Sequence, residues 1–218
     1  METKTLKLVI KILKRKYRSE LRTQLIHKNT TELFVAALLS PQCSDLQVNK
    51  TTKELFKQFK TISDYDKTNL KTLQGHLKGL NYYKTKAKNL KKAARRIVTC
   101  YGGKIPQRLD DLMTLQGVGR KVGNVILSEG YNIYEGIAID THCITVATRL
   151  KIERTGKPEK IESRLMHQLD RKYWRDVSNL FIALGRDTCR SRKKECERCV
   201  LNKICPSSDV IVGTKAFA

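Results

Sequence analysis

Four cysteines toward the C-terminal end form the densest set of metal-ligating side chains in this sequence. Cys189, Cys196, Cys199 and Cys205 are separated by six, two and five residues. Thiolates packed this closely either bind soft metals or exchange disulfides. Zinc usually takes two close pairs from separated knuckles, and only Cys196 and Cys199 form a close pair here. One loop wound around a larger inorganic core suits an iron–sulfur cluster, which takes four thiolates. The spacing therefore puts a [4Fe-4S] cluster ahead of zinc, with redox disulfides behind both. Arg190, Arg192, Lys193, Lys194 and Arg198 lie between these cysteines, so the loop would turn a basic face toward phosphate. Cys43, Cys100 and Cys143 are scattered and read as reduced thiols packed as small apolar groups.

A second candidate lies upstream, in Leu115-Gln116-Gly117-Val118-Gly119-Arg120-Lys121. Two glycines flanking one residue let the chain reverse tightly and leave its backbone uncovered. If Gly119 opens a helix, bare N–H groups point outward at a positive dipole end and can hold a phosphate. Such a grip reads no base sequence. A plain αα-hairpin with a glycine turn is the simpler alternative. Lys121 falls in the first helical turn, where the dipole disfavours a cation and partial burial acts in the same direction. A neutral lysine amine does Schiff-base chemistry on carbon at the carbonyl oxidation level. A second phosphate-contacting cation is the other reading. Asp140, before Thr141 and His142, is placed to cap a helix, and a carboxylate there also steers or deprotonates a nearby amine.

The elements that must carry these groups are helical. Leu6, Val9, Ile10, Leu13 and Tyr17 recur at helical spacing between lysines, which predicts an amphipathic first helix. Thr30 and Thr31 before Leu33–Leu39 predict a capped apolar helix, and Ser44-Asp45 precede another through Val48, Leu55 and Phe59. A long pattern from Lys84 to Cys100 stops at Gly102-Gly103. Shorter patterns follow over 109–115, 120–128, 140–150, 159–169 and 177–184. Ile137–Ile139 is the best β candidate. No repeat of 20–50 residues is evident, and an all-α fold follows.

Composition sets the bounds. Lys and Arg number 44 against 21 acidic residues, a formal net charge of +23 in 218 residues. That self-repulsion is best answered by a polyanionic partner, with nucleic acid ahead of a membrane surface. The longest apolar run, Leu33–Leu39, is too short to cross a bilayer. With no secretory signal pattern, an intracellular protein without a disulfide framework is expected.

Taken together, these stretches resemble the endonuclease III family, the DNA glycosylases and AP lyases of base-excision repair in the helix-hairpin-helix superfamily. Leu38 to Asp45 looks like the family's segment near the lesion-binding cleft, and Leu115 to Asn124 like its hairpin. Ile139-Asp140-Thr141-His142 looks like the segment of the catalytic aspartate, and the 6-2-5 cysteine spacing like its [4Fe-4S] signature. The resemblance implies a helix-hairpin-helix glycosylase fold: a six-helix barrel over 23–135, with the hairpin near 108–128. An iron–sulfur domain would combine 1–22 with 136–206, leaving a tail at 207–218. The lesion would flip into the groove between the two domains.

The same resemblance implies Lys121 and Asp140 as catalytic residues and Cys189, Cys196, Cys199 and Cys205 as cluster ligands. DNA contacts would come from Gln42, Gln116, Gly117, Val118, Gly119, Arg120, Thr141 and His142, with Gln42 filling the gap left by a flipped base. The implied reaction is excision of oxidised pyrimidines from double-stranded DNA, then β-elimination 3′ of the abasic site through a Lys121 Schiff base. A monomer without membrane association is expected. Gln116 stands where the family commonly has proline, and Thr145 where arginine is common. Gly79-Leu80-Asn81-Tyr82-Tyr83 looks more like the branch that removes adenine from mismatches. That branch generally lacks the lysine, so Lys121 favours the bifunctional enzyme.

Overall fold

A computed structural model describes residues 1–210, and the end of the expected tail, 211–218, lies outside them. The described residues are helical, with one isolated β-bridge between Cys189 and Lys194. They divide into two compact units, 23–135 and 1–22 with 136–210. No helix among them is long and apolar enough to cross a membrane.

The 23–135 unit is built around α2 (Thr30–Leu39), whose residues Leu33 to Leu39 are all buried. A helix apolar on every side belongs at the centre of a core, and α3 (Asp45–Gln58), α6 (Tyr83–Tyr101) and α8 (Arg120–Gly130) pack against it. The N-cap of α2 is Asn29 rather than the expected threonines: its side chain accepts from Glu32 N at 3.0 Å. Glu32 in turn accepts from Lys28 N, so both residues satisfy otherwise unpaired amides. Two short helices escape the sequence patterns, α4 (Ile62–Lys67) and α5 (Leu70–Leu77). Each buries only two residues on its inner face, and both lie along α6. The end of α6 follows the expectation, with Gly102 and Gly103 at φ +58° and +78° and Gly103 N donating back to Ile97 O.

The other unit packs α1 (Thr3–Lys16), through Leu6, Val9, Ile10 and Leu13, onto α11 (Trp174–Asp187). Polar ties fix the N-terminal segment there: Tyr17 Oη donates to Asp187 at 2.9 Å, and Lys14 Nζ lies 2.5 Å from Asp176 Oδ2. Burial and the Asp187 carboxylate both raise the Tyr17 pKa, so this phenol stays a donor. α9 (Thr141–Arg149) also packs against α11, and α10 (Pro158–Gln168) against α9. Ile137–Ile139 forms no strand. Two of its backbone groups bond to side chains instead: Ile137 N donates to Glu162, and Ser178 Oγ donates to Ala138 O at 2.6 Å. With those two groups taken, part of the ladder that a neighbouring strand would need is already used.

Candidate active site

The hairpin consists of α7 (Leu109–Met113), a turn over 114–119, and α8. Leu112, Leu115, Val118 and Val122 are buried in the core of their unit and hold the turn from below. Gly117 has φ +85°, and a Cβ there would lie 2.9 Å from the Asn89 side-chain nitrogen. Gly123 brings α8 equally close to α7, since a Cβ would sit 2.6 Å from Leu109 Cδ1. Close approach and a left-handed backbone both favour glycine at 117, whereas at Gly123 close approach alone does.

Gly119 is the N-cap of α8 and supplies no side-chain acceptor, so the first-turn amides are left without a cap. Gln116, Gly117, Gly119 and Arg120 are exposed at this end, and Lys121 is half-buried on the first turn. Val118 is arranged differently. Its N–H donates to Leu115 O at 3.0 Å and its side chain is in the core, so it shapes the turn rather than facing out of it. Arg96 Nε donates to Thr114 Oγ1 at 3.1 Å and ties α6 to the hairpin.

In the same unit, Gln42 is exposed in the turn between α2 and α3 with φ +57°. Asn81 Nδ2 donates to Gln42 O at 2.7 Å. That bond brings the Gln42 turn beside Tyr82, which is 66% exposed and also left-handed, at φ +56°. Each is a solvent-facing non-glycine residue in a left-handed conformation, which is costly. Asn81 and Tyr82 belong to the Gly79–Tyr83 stretch, and only the fold brings Asn81 to Gln42.

Asp140 sits in the other unit as the N-cap of α9. Its Oδ1 accepts from Cys143 N at 2.8 Å, which fixes the carboxylate at a helix start and leaves Oδ2 outside that bond. Thr141 is exposed, whereas His142 packs onto α11, where a Cβ on Gly185 would lie 2.7 Å from His142 Cβ.

Cys189, Cys196, Cys199 and Cys205 line one small cavity together with Arg149, Thr188, Lys194 and Ser208. Arg149 reaches from α9 and donates to Cys189 Sγ at 3.2 Å, to Arg190 O at 2.9 Å and to Ser191 O at 3.0 Å. Lys194 turns inward, donating to Ser207 O and Asp209, while Arg190, Arg192, Lys193 and Arg198 are exposed. Burial pushes the Cys199 and Cys205 thiols above their ordinary range. The buried Ser208 hydroxyl has no hydrogen-bond partner among the described residues. No three His, Cys, Asp or Glu among the described residues are grouped to hold a single ion. Four thiols around one cavity, with an orphaned donor at its edge, nevertheless fit a larger thiolate-bound core such as [4Fe-4S].

Residues 35–171 match the model of the HhH-GPD superfamily base excision DNA repair protein. Endonuclease III of Bacillus subtilis is 38% identical over 183 residues, 84% of this chain and 83% of that protein. Endonuclease III of Synechocystis is 34% identical over 182 residues, again 84% of this chain and 83% of that protein. The chain belongs to the endonuclease III family. A solved structure of a non-covalent endonuclease III–DNA complex superimposes with a TM-score of 0.91 at 30% identity, covering 98% of this chain and 99% of that one. The fold is thus the helix-hairpin-helix glycosylase fold of that family. Membership makes this chain a base-excision repair enzyme of the DNA glycosylase and AP lyase class, and DNA its partner.

Proposed function

We propose that this enzyme excises oxidised pyrimidines from duplex DNA and then cuts the strand 3′ of the abasic site. The observation that carries this reading is Lys121, a half-buried amine on the first turn of α8, directly after an uncapped hairpin turn. Exposed hairpin amides and basic side chains hold the phosphates, and the damaged nucleotide leaves the stack at a cost of a few kcal/mol. Damage that weakens stacking or pairing lowers that cost and so contributes selectivity. Gln42 fills the gap, with Tyr82 alongside it as a stacking surface.

The Lys121 amine attacks the sugar C1′ as the C1′–N bond to the base breaks and the base departs with the bonding electrons. Asp140, held by its cap bond, accepts the amine proton and stabilises positive charge developing at the sugar. Ring opening gives a Schiff base, which acidifies the C2′ proton, and loss of that proton expels the 3′ phosphate. Cys189, Cys196, Cys199 and Cys205 hold a [4Fe-4S] cluster, which when bound cross-links the basic loop and takes no part in the electron flow of the reaction. Arg190, Arg192, Lys193 and Arg198 then form a second phosphate contact. The enzyme acts as a monomer.

The test is incubation with duplexes carrying thymine glycol or an abasic site, with and without sodium borohydride. A covalent protein–DNA band with both duplexes, lost in Lys121→Ala, is the expected result. Base release without a trapped band would overturn the lyase chemistry and favour a monofunctional glycosylase.

A further inference from the structure

Cys43 lies one residue after Gln42, half-buried at the mouth of the turn between α2 and α3. Lys86 reaches it from α6. The Lys86 side chain is 6% exposed, and its Nζ lies 2.9 Å from Cys43 Sγ. Lysine is almost never buried this far without a charged partner, yet the partner here is a thiol. The contact thus sets a primary amine within hydrogen-bond distance of a half-buried thiol. The other scattered thiols lack this combination: Cys100 is exposed with only the Thr99 hydroxyl beside it, and Cys143 is fully buried with Ala138 O and Ser178 O.

We propose that Cys43 and Lys86 form a peroxide-responsive modification site that closes reversibly into a sulfur–nitrogen link. The Cys43 thiolate attacks one oxygen of hydrogen peroxide, the O–O bond breaks, and the departing hydroxide takes the Lys86 ammonium proton as water. Sulfur is oxidised by two electrons to sulfenic acid while the peroxide is reduced. The neutral amine then attacks that sulfur, the S–O bond breaks, and a second water leaves with one amine proton. The product is a sulfenamide. A free thiol reverses it by attacking sulfur and releasing the amine, and a second thiol reduces the mixed disulfide. The two reacting atoms already touch, so closure needs no rearrangement of the helices. A closed link would bind α6 to the turn that presents Gln42 and so slow lesion engagement; that consequence rests on the Gln42 role proposed above.

The full-length protein is treated with dilute hydrogen peroxide, and its proteolytic peptides are mapped by mass with and without dithiothreitol. The expected result is a linked pair containing Cys43 and Lys86, lighter than the two peptides by two hydrogens and separated by the thiol. Cys43 left as a thiol or carried to sulfinic acid, with Lys86 free while Cys100 takes up oxygen, would overturn the site. Lys86→Arg keeps the cation but not the condensing amine, so Cys43 should stop at a sulfenic acid trapped by dimedone. A link to Cys43 persisting in that variant would also overturn the assignment. Nicking of abasic duplex is measured on the same samples. Loss restored by thiol in the parent but absent in Cys43→Ser supports the regulatory consequence. A closed link with nicking unchanged would overturn the Gln42 consequence and leave the modification standing.

Discussion

The hairpin around Gly117 and the loop around the four cysteines both present basic side chains and exposed backbone, but they keep their shapes by different means. Beneath the hairpin, Leu112, Leu115, Val118 and Val122 are buried in the core. Each contributes roughly 1.5–3 kcal/mol on burial, and the missing side chains of Gly117 and Gly123 let α6 and α7 close against the turn. Between Cys189 and Ser208 the only buried apolar side chain is Leu201. That loop is held by side chains that bond its backbone, chiefly Arg149 and Lys194. The turn is thus held by packing, and the loop, where little packs, by side chains that bond its backbone.

If that contrast holds, removing one cross-linking residue should damage the loop far more than any hairpin change damages the turn. Cys199→Ser should lose the cluster's visible absorption and the order of the loop, read as rapid proteolysis after Arg190–Arg198, while the 23–135 unit keeps its helical circular dichroism. Gly117→Ala should cost about 1–3 kcal/mol of stability, from a left-handed backbone that alanine resists and from the Asn89 contact. Combining it with Asn89→Ala should recover only part of the steric cost, because the Asn89 Cβ would still lie 3.0 Å away, as measured by denaturant unfolding. Arg149→Met removes the donor to Cys189 and should weaken cluster retention roughly 10–100-fold, judged by the rate of loss to a chelator.

The smallest effect lies outside both regions. The Asp64 carboxyl is held below its ordinary range by the Thr61 N–H and then the Lys60 N–H at the cap of α4. A depressed folded-state pKa contributes stability above the unfolded value, and that contribution disappears as pH falls through the folded value. Asp64→Asn should therefore cost about 1 kcal/mol or less at neutral pH and nothing in strong acid, checked by thermal melts across pH. Equal losses at both pH values would remove the cap from the account.

Much of the helical layout was legible in the sequence because periodic apolar residues and glycine stops are local. The reading of 84–100 succeeded because Ala87, Leu90, Ala94 and Ile97 mark a buried face and Gly102 stops it. It failed at 62–77, where α4 and α5 are too short to show a period. The best β candidate, Ile137–Ile139, forms no strand, since an apolar triplet does not reveal that Glu162 and Ser178 will occupy part of its backbone. In the candidate site, Asp140 as a cap and Lys121 on a first turn follow from adjacent residues. The Asn81 bond to Gln42 spans 39 positions, and nothing local announces it.

By itself the sequence determined which groups are available and how they are spaced: one lysine after a glycine turn, one aspartate before a helix, four cysteines in one loop, and a large excess of positive charge. Tertiary structure alone decided which of them face outward and which are spent on the fold. Val118 turns into the core, Lys194 turns in to hold its own loop, and Lys86 finds a thiol instead of solvent. Spacing acts along the chain, over a few residues. Burial and pairing are set by whatever distant segment arrives at the same point, and only the packed fold brings those segments together.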